Sequence, residues 1–202
     1  MRKAFGIATA CLLFAPLAYS QARLETSALV NQDFETPFSR GNSLRLRLHD
    51  GDFRVIGTDS EKISIHVDAK NVDQVKRIGI RLKREDDGTL NLELSHVPKN
   101  ELQVTITVPL STNLYAHMRG GDLSVEGIHG DKDLELTGGD LTIGVGAPEE
   151  YSEIDLSVRF GDISGTQFGN PKGWIGNSLR KAGTGKYRLH AHVMAGDLVL
   201  KS

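Results

Sequence analysis

A chain of 202 residues carries 24 Lys and Arg against 26 Asp and Glu, a formal net charge of −2 at pH 7, with no basic tail or polybasic cluster. This balance argues against nucleic acid or an anionic lipid surface as the partner, because both bind clustered positive charge. The 22 glycines and the 6% of aromatic residues predict many short strands joined by tight turns. The length is that of one domain with a substantial core.

The N-terminus predicts export. A short positive segment precedes the apolar run AFGIATACLLFAPLA, and the small residues of AYSQA follow it, so a signal peptidase would cut after Ser20 or Ala22. The apolar run is shorter than the ~20 residues of a membrane span, and we expect no transmembrane segment.

Cleavage would remove Cys11, the single cysteine, which leaves the mature chain without a disulfide or a thiol ligand for a metal. A lipoprotein anchor at Cys11 is the less favoured alternative, because the residues before it lack the expected larger aliphatic side chain. We therefore predict a cleaved signal peptide at residues 1–22 and a single mature domain at residues 23–202.

Strands of alternating polarity follow one another through the first half of the mature chain. Leu, Ile or Val occupies every second position in SLRLRLHD (43–50), KISIHVD (62–68), RIGIRLKRE (77–85), TLNLELS (89–95) and ELQVTITVP (101–109). A period of two predicts one buried and one solvated face of a sheet. EDDG at 85–88 predicts a hairpin turn, and the spacing of Val72, Val75 and Ile78 predicts one helical turn.

A Gly-Asp pair before a short apolar alternation recurs five times. The copies are GDFRVIG at 51, GGDLSVEG at 120, GGDLTIG at 138, FGDISG at 160 and AGDLVL at 195. The last four aspartates are separated by 18, 22 and 35 residues, and the interval of 35 is close to two units. Repeats on this scale predict stacked units that share one core. Within the strand SEIDLSVRF we predict that Ile154, Leu156, Val158 and Phe160 are buried.

The Gly-Asp pair is interpreted as a structural corner. Glycine tolerates a positive φ without a Cβ penalty, the following aspartate can hydrogen-bond its own turn, and the next apolar side chain enters the core. A phosphate loop would need Gly-x-x-x-x-Gly-Lys-Ser/Thr, which is absent. A calcium-binding β-roll would need tandem nonapeptides, about half the interval seen here. We expect no metal and no cofactor.

The order of these features resembles a bacterial exported β-strand-repeat family described as "putative adhesin", most of which has no assigned function. The matching features, in order, are the signal peptide, SLRLRLHDGDFRVIG, LQVTITVPLSTNLYAHMRGGDLSVEG, DLELTGGDLTIG and GTGKYRLHAHVMAGDLVL, within roughly residues 34–200. The resemblance implies a right-handed, solenoid-like β structure on the cell envelope. We predict an all-β fold, a single-stranded right-handed β-helix or β-solenoid-like repeat with an N-terminal β-meander portion.

Four side chains are candidate ligand contacts: Trp174, Arg188, His190 and His192. Trp174 lies in a Gly-rich, basic loop, where it could stack on a sugar ring. The favoured alternative is that Trp174 covers an open end of the repeat, since terminal units need caps. His190 and His192 share one strand face beside Arg188, but no third metal ligand is evident, so we predict exposed polar positions rather than a metal site.

No catalytic residue is predicted. The carboxylate pairs Asp133 with Glu135 and Glu153 with Asp155 are interpreted as solvated strand faces, and the Gly-x-Ser-x-Gly and His-Glu-x-x-His motifs are absent. We predict a non-catalytic exported envelope protein, an adhesin or scaffold in the periplasm or at the cell surface, whose partner is an envelope glycan or protein. The alternatives are a periplasmic binding or sensing accessory of an envelope-stress system and, less favoured, a small carbohydrate-active enzyme. Open strand edges also predict self-association.

Overall fold

The computed structural model describes residues 22–24, 33–69, 72–75, 78–97, 102–173 and 176–202. Within them the chain is all-β, as predicted. The strands are β1 (Ala22–Leu24), β2 (Phe34–Pro37), β3 (Ser43–Asp50), β4 (Asp52–Thr58), β5 (Lys62–Ala69), β6 (Gly79–Arg84), β7 (Leu90–Ser95), β8 (Leu102–Pro109), β9 (Asn113–Gly120), β10 (Leu123–Glu126), β11 (Lys132–Gly138), β12 (Leu141–Gly144), β13 (Tyr151–Phe160), β14 (Ile163–Ser164), β15 (Asn177–Ala182), β16 (Tyr187–Ala195) and β17 (Leu198–Lys201). One helical turn, α1, spans Val72–Val75.

The strands form two mixed sheets. The nine-stranded sheet has the order β1-β6-β7-β3-β9-β11-β16-β13-β15, and the eight-stranded sheet has the order β14-β17-β12-β10-β4-β8-β5-β2. Six strands of the first sheet, from β7 to β13, are parallel to their neighbours. Their six successors along the chain, β8, β4, β10, β12, β17 and β14, lie in the same order in the second sheet and are also parallel.

The spatial order of these strand pairs differs from their chain order. The last pair, β16–β17, lies between β11–β12 and β13–β14, and β7–β8 lies outside β3–β4. The interval of 35 residues before the last Gly-Asp therefore does not contain a second parallel unit. It holds β15, which pairs antiparallel with β13 and covers its edge. Antiparallel strands also flank the other end, where β6 pairs with β7 and β5 with β8.

The core is a set of apolar ladders that run across the parallel strands. One ladder joins Leu46 to Leu92 on one side and to Ala116 on the other, and it continues through Leu134 and Ala191. All five side chains are buried. Burying a Leu, Ile or Val stabilises a fold by roughly 1.5–3 kcal/mol, so the strands hold together chiefly through these inward rows.

Phe160 is an exception, because the prediction that it is buried is wrong. Its side chain is 57% exposed, whereas Ile154, Leu156 and Val158 on the same strand are buried as predicted. Phe160 is the last residue before a corner, where its register partner is Ala195. The strand is already turning there, so the alternation no longer directs the side chain inward.

Two local predictions are confirmed. The segment EDDG closes the β6–β7 hairpin, with the amide of Gly88 donating to the carbonyl of Glu85 at 3.1 Å. The helical turn α1 occurs where the spacing of three predicts it, and both Val75 and Ile78 are buried.

The Gly-Asp corners stack on one another across the strand pairs. At Gly139 φ is +122°, and a Cβ placed there would lie 2.0 Å from the carbonyl oxygen of Gly121 in the neighbouring corner. Gly196 stands in the same relation to Gly139. Glycine is therefore required twice over, for its positive φ and for the close approach of two backbones.

The prediction that the aspartates hydrogen-bond their own turns is wrong. Three of the five carboxylates accept a hydrogen bond from the neighbouring corner rather than from their own turn, whereas Asp162 accepts one from the side chain of Asn177 and Asp52 accepts none within the described residues. Asp122 Oδ1 accepts from the amide of Asp140 at 3.2 Å, Asp140 Oδ1 from that of Asp197 at 2.9 Å, and Asp197 Oδ1 from that of Asp162 at 2.9 Å. Adjacent parallel strands are ~4.8 Å apart in register, which brings the next amide within reach of a short side chain.

Candidate functional site: the outer face of the nine-stranded sheet

The outer face of the nine-stranded sheet presents two rows of polar side chains, because every second residue of each strand points away from the core. The first row contains, from β6 to β11, Lys83, Asn91, Arg45, Tyr115 and Asp133. The second row contains, over the same strands, Arg81, Glu93, Arg47, His117 and Glu135. Both rows continue beyond β11 onto β16 and β13.

A cavity of about 860 Å³ lies over these ten side chains, and we call it the trough. It spans five strands, or four interstrand spacings of ~4.8 Å, so its floor is about 19 Å wide. A cavity of this volume is large enough for an organic ligand.

Charge is distributed unevenly along the trough. Four cations lie on β6 and β3: Arg81, Lys83, Arg45 and Arg47. The β11 end carries Asp133 and Glu135. The trough therefore has a basic half and an acidic end, about two strand spacings apart.

Three charged groups toward the ends of the trough, Arg81, Lys83 and Asp133, are engaged with other protein groups. On the basic side, Arg81 Nη1 lies 3.6 Å from Glu93 Oε2, and Lys83 Nζ lies 2.9 Å from Glu85 Oε1. At the acidic end, Asp133 Oδ1 lies 2.7 Å from His190 Nδ1. These contacts leave the middle of the trough as the part open to a ligand.

Three exposed side chains of the second row make no hydrogen bond or ion pair within the described part of the chain: Arg47 and His117 in the middle of the trough and Glu135 at its β11 end. In the first row, the guanidinium carbon of Arg45 lies 5.9 Å from the ring centroid of Tyr115, a cation–π contact. The trough thus combines an aromatic ring, two arginines and an unpaired carboxylate on one rigid surface.

The structure places Arg188, His190 and His192 on the same face but outside the trough, on β16. They point outward, as predicted, and each has a protein partner. Arg188 Nη2 lies 3.3 Å from Asp131 Oδ2, and His192 Nδ1 lies 2.8 Å from Ser157 Oγ. These contacts tie the three side chains to neighbouring protein groups, and none of the three lines the trough.

The remaining sequence-based candidates are placed as follows. Trp174 lies outside the described residues, so its role as a contact or a cap stays a prediction. Glu153 and Asp155 point outward as predicted, with Asp155 Oδ2 2.8 Å from Arg180 Nη2. Among the residues that the structure describes, no group of three or more His, Cys, Asp and Glu side chains is arranged to hold a metal ion.

Arg47 and His117 were not singled out from the sequence, and Glu135 was interpreted there as part of a solvated strand face. The alternation of polar and apolar residues in SLRLRLHD and NLYAHMRG predicts that Arg47 and His117 point outward. It does not predict that they are neighbours, because β3 pairs with β9 across more than 60 residues whose own strands make three pairings with one another.

A second unusual feature is a buried lysine on the opposite, inward side of β11. Lys132 is only 2% exposed and occupies a position whose register partners are Leu114 and Leu189. Its ammonium donates to the hydroxyl of Tyr151 at 3.1 Å and to the carbonyl of Gly130 at 3.4 Å.

Burial is the main cause of the shifted pKa values of Lys132 and Tyr151. Loss of hydration lowers the pKa of Lys132 to about 8, although the charges of Glu150 and Asp131 favour the ammonium form. Burial also raises the pKa of the Tyr151 hydroxyl to about 12, and the charge of Glu150 acts in the same direction. The pair is closed off from solvent, so its effect is on stability rather than on binding.

No helix within the described residues has the length and apolar character needed to cross a membrane.

No protein-family model matches the chain, and no curated protein matches it. Among solved structures, it is similar to a "putative cell adhesion protein" from Clostridium sporogenes, with a TM-score of 0.50 and 12% identity over 84% of this chain and 98% of that one. It also matches a "putative adhesin" from Bacteroides fragilis, with a TM-score of 0.26 and 10% identity over 84% and 96% of the two chains. A "putative lipid binding protein" from Parabacteroides distasonis matches with a TM-score of 0.23 and 9% identity over 85% and 96%.

The likeness to the Clostridium protein, at 12% identity, concerns the fold alone. The chain therefore shares a fold with a protein that is described as a "putative cell adhesion protein".

Proposed function

We propose that this chain is a non-catalytic, exported protein of the bacterial cell envelope, an adhesin or scaffold that binds its ligand through the trough. The single observation that carries the proposal is the set of unpaired side chains in the second row of the trough, Arg47, His117 and Glu135, near the ring of Tyr115. Arg81, Lys83 and Asp133 are each paired with another protein group, whereas the polar atoms of these three side chains remain available to a ligand.

The proposal includes the wound architecture predicted from the sequence. Six strand pairs lie in matching order in the two sheets, and five of them turn at stacked Gly-Asp corners, which supports a β-solenoid-like arrangement. Such an arrangement presents a rigid outer face on which side chains repeat at the interstrand spacing of ~4.8 Å. A regular face of this kind suits a ligand that is itself extended.

The arrangement of carboxylates supports a binding role rather than hydrolysis. A glycosidase uses two carboxyl groups on opposite sides of the scissile bond. In the trough, Glu93 is engaged by Arg81 and by His49, and Asp133 is engaged by His190. Among the carboxylates that line the trough, Glu135 alone has no partner within the described residues.

Two measurements test the proposal. Intact cells expressing the full chain are treated with protease, and degradation of the protein is compared with that of a periplasmic marker. We expect degradation, as for a surface protein. Protection together with the marker would contradict the surface role and favour the periplasmic accessory, and recovery in the cytosolic fraction would contradict export.

The second measurement concerns the trough. The purified protein is tested for retention on isolated cell-envelope material and on host-cell surfaces, beside the variant Arg47→Ala/His117→Ala/Glu135→Ala. We expect retention by the wild type on one of these surfaces and its loss in the variant. The control is Arg159→Ala/Arg180→Ala, which removes two exposed arginines from β13 and β15 on the same face. Equal retention by all three proteins would contradict a binding role for the trough, and release of shortened saccharides would contradict the non-catalytic role.

A further inference from the structure

We infer that the ligand of the trough is a negatively charged saccharide chain, whose anionic group is bound by Arg45 and Arg47 while a sugar ring lies on Tyr115. This inference rests on the proposed function, because it names the ligand class of the same surface. Three features of the trough lead to it. Two arginines make no ion pair, an aromatic ring lies beside them, and the acidic end would repel a polymer that carries a negative charge on every unit.

The arginine pair supplies the anion site. Arg45 and Arg47 are two apart on β3, so both point outward and their Cα atoms are about 7 Å apart. Neither donates a hydrogen bond within the described part of the chain. A guanidinium presents a planar fork of donors that matches a carboxylate or a sulfate in bidentate geometry. Glu93 does not occupy this pair, because Arg81 and His49 already contact its carboxylate.

Tyr115 supplies a stacking surface. It is the register partner of Arg45 on the adjacent strand β9, and its side chain is half-buried. A sugar ring has an apolar face of C–H groups that packs on an aromatic ring, and tyrosine offers this area at low conformational cost. When Arg45 turns toward the anionic group of the ligand, the sugar ring replaces its guanidinium over Tyr115.

The acidic end of the trough favours some classes of negatively charged polymer over others. Glu135 lies on β11, two strands from Arg47, and its carboxylate only accepts hydrogen bonds. His117 lies between them. A nucleic acid or polyphosphate carries a charge on every unit and would be repelled by Glu135. A saccharide with a charged group at one position and hydroxyl donors at the next satisfies both ends.

The size of the trough sets the length of the ligand. A floor of about 19 Å accommodates several sugar residues in an extended chain. We therefore expect affinity to increase with chain length up to the span of the trough and then to level off.

The test is a binding measurement by calorimetry on protein purified after expression of the full chain. The probes are oligosaccharides in which a uronic acid alternates with a neutral sugar, their carboxyl-reduced neutral forms, and a sulfated oligosaccharide of the same alternation. Oligogalacturonate, which is charged on every unit, is tested beside inorganic phosphate, polyphosphate and vesicles that contain an anionic phospholipid. We expect at least one acidic oligosaccharide to bind and its neutral form to bind about 10- to 100-fold more weakly, the range for losing charge-assisted hydrogen bonds. Sulfated and carboxylated chains distinguish the two possible anionic groups.

The variants test the assignment to residues. We expect Arg45→Ala/Arg47→Ala and Tyr115→Ala to weaken binding at least about tenfold, since each removes a contact of the ligand. Tyr115→Phe keeps the ring and should bind like the wild type. Arg159→Ala/Arg180→Ala is the charge-matched control and should also bind like the wild type. Thermal unfolding confirms that each variant is folded, and the comparison of acidic with neutral probes on the wild type needs no variant.

Several outcomes would overturn the inference. These are equal binding of the acidic and neutral forms, equal or tighter binding of polyphosphate or anionic vesicles, and an equal loss in the Arg159→Ala/Arg180→Ala control. If no acidic saccharide binds but the trough variants still lose retention on envelope or host surfaces, the inference about the ligand is wrong and the proposed function is retained. If retention on those surfaces does not depend on the trough either, both the inference and the proposed function are wrong.

Discussion

The carboxylate of Asp140 accepts a hydrogen bond from the backbone N–H of Asp197 at 2.9 Å, although 57 residues separate them along the chain. Asp197 in turn accepts from the amide of Asp162, and Asp122 accepts from that of Asp140. The Gly-Asp motif has the sequence of a local turn, but its aspartate side chains connect distant parts of the chain. The corners contribute to which strands are neighbours as well as to where the chain turns.

We expect Asp140→Ala to lower the free energy of unfolding by about 1 kcal/mol, because the amide of Asp197 loses its acceptor. Asp140→Asn keeps an acceptor oxygen and removes one negative charge from a column of aspartates, so it should be at least as stable as the wild type. Urea unfolding measures both variants. The control is Asp52→Ala, in the same motif, whose carboxylate makes no hydrogen bond within the described residues. Equal losses for Asp140→Ala and Asp52→Ala would contradict the corner hydrogen bonds.

Replacing Gly139 by Ala should destabilise the fold by more than about 3 kcal/mol or prevent folding, because the new Cβ would lie 2.0 Å from the Gly121 carbonyl oxygen. Gly169→Ala separates this clash from backbone strain. Gly169 has a similar φ of +135°, but no atom lies within 4 Å of its Cβ position. Its substitution should cost about 1 kcal/mol. The melting temperatures of the two variants give the comparison, and similar values would show that the corners do not approach so closely.

Lys132→Met should change how stability depends on pH. In the folded protein burial lowers the pKa of Lys132 from 10.5 to about 8, so between these values the unfolded chain binds more protons and the free energy of unfolding rises with pH. The cost of the buried ammonium is therefore fully present below pH 8 and is relieved as the pH approaches 10.5. At 1.36 kcal/mol per pKa unit, the relief amounts to about 3 kcal/mol.

Urea unfolding at pH 7, 8.5 and 10 measures this effect as the difference between the wild type and Lys132→Met. We expect the wild type to gain stability relative to the variant over that range. Burial raises the pKa of Tyr151 to about 12, so the titration of Tyr151 lowers stability only above about pH 10, at the upper limit of this range. Parallel pH profiles would mean that Lys132 is not deprotonated in the folded state in this range.

The exposed position of Phe160 is tested against a buried neighbour on the same strand. Phe160 is 57% exposed and Val158 is 2% exposed. Phe160→Ala should alter the free energy of unfolding by less than about 0.5 kcal/mol, as surface changes do. Val158→Ala should lower it by about 1 to 3 kcal/mol, through lost burial and a cavity. A loss at Phe160 as large as that at Val158 would place its side chain in the core.

Several features of this protein follow from its sequence alone. The alternation in SLRLRLHD fixes which side chains of β3 point inward, because successive Cβ atoms point to opposite faces of a strand. The hairpin at 85–88 and the glycine corners also follow from local chemistry, since each depends on a few adjacent residues. Alternation fails at Phe160, where the strand is already turning.

The order of the strands was decided only by the tertiary structure. The strands have nearly the same apolar pattern, so many pairings would bury equivalent side chains, and nothing local indicates that β16 lies between β11 and β13. The trough depends on this order, because Arg47, His117 and Glu135 come from three strands that become neighbours only through long-range pairing. Periodicity determines the face on which each side chain lies, whereas the pairing of distant strands determines which side chains meet there.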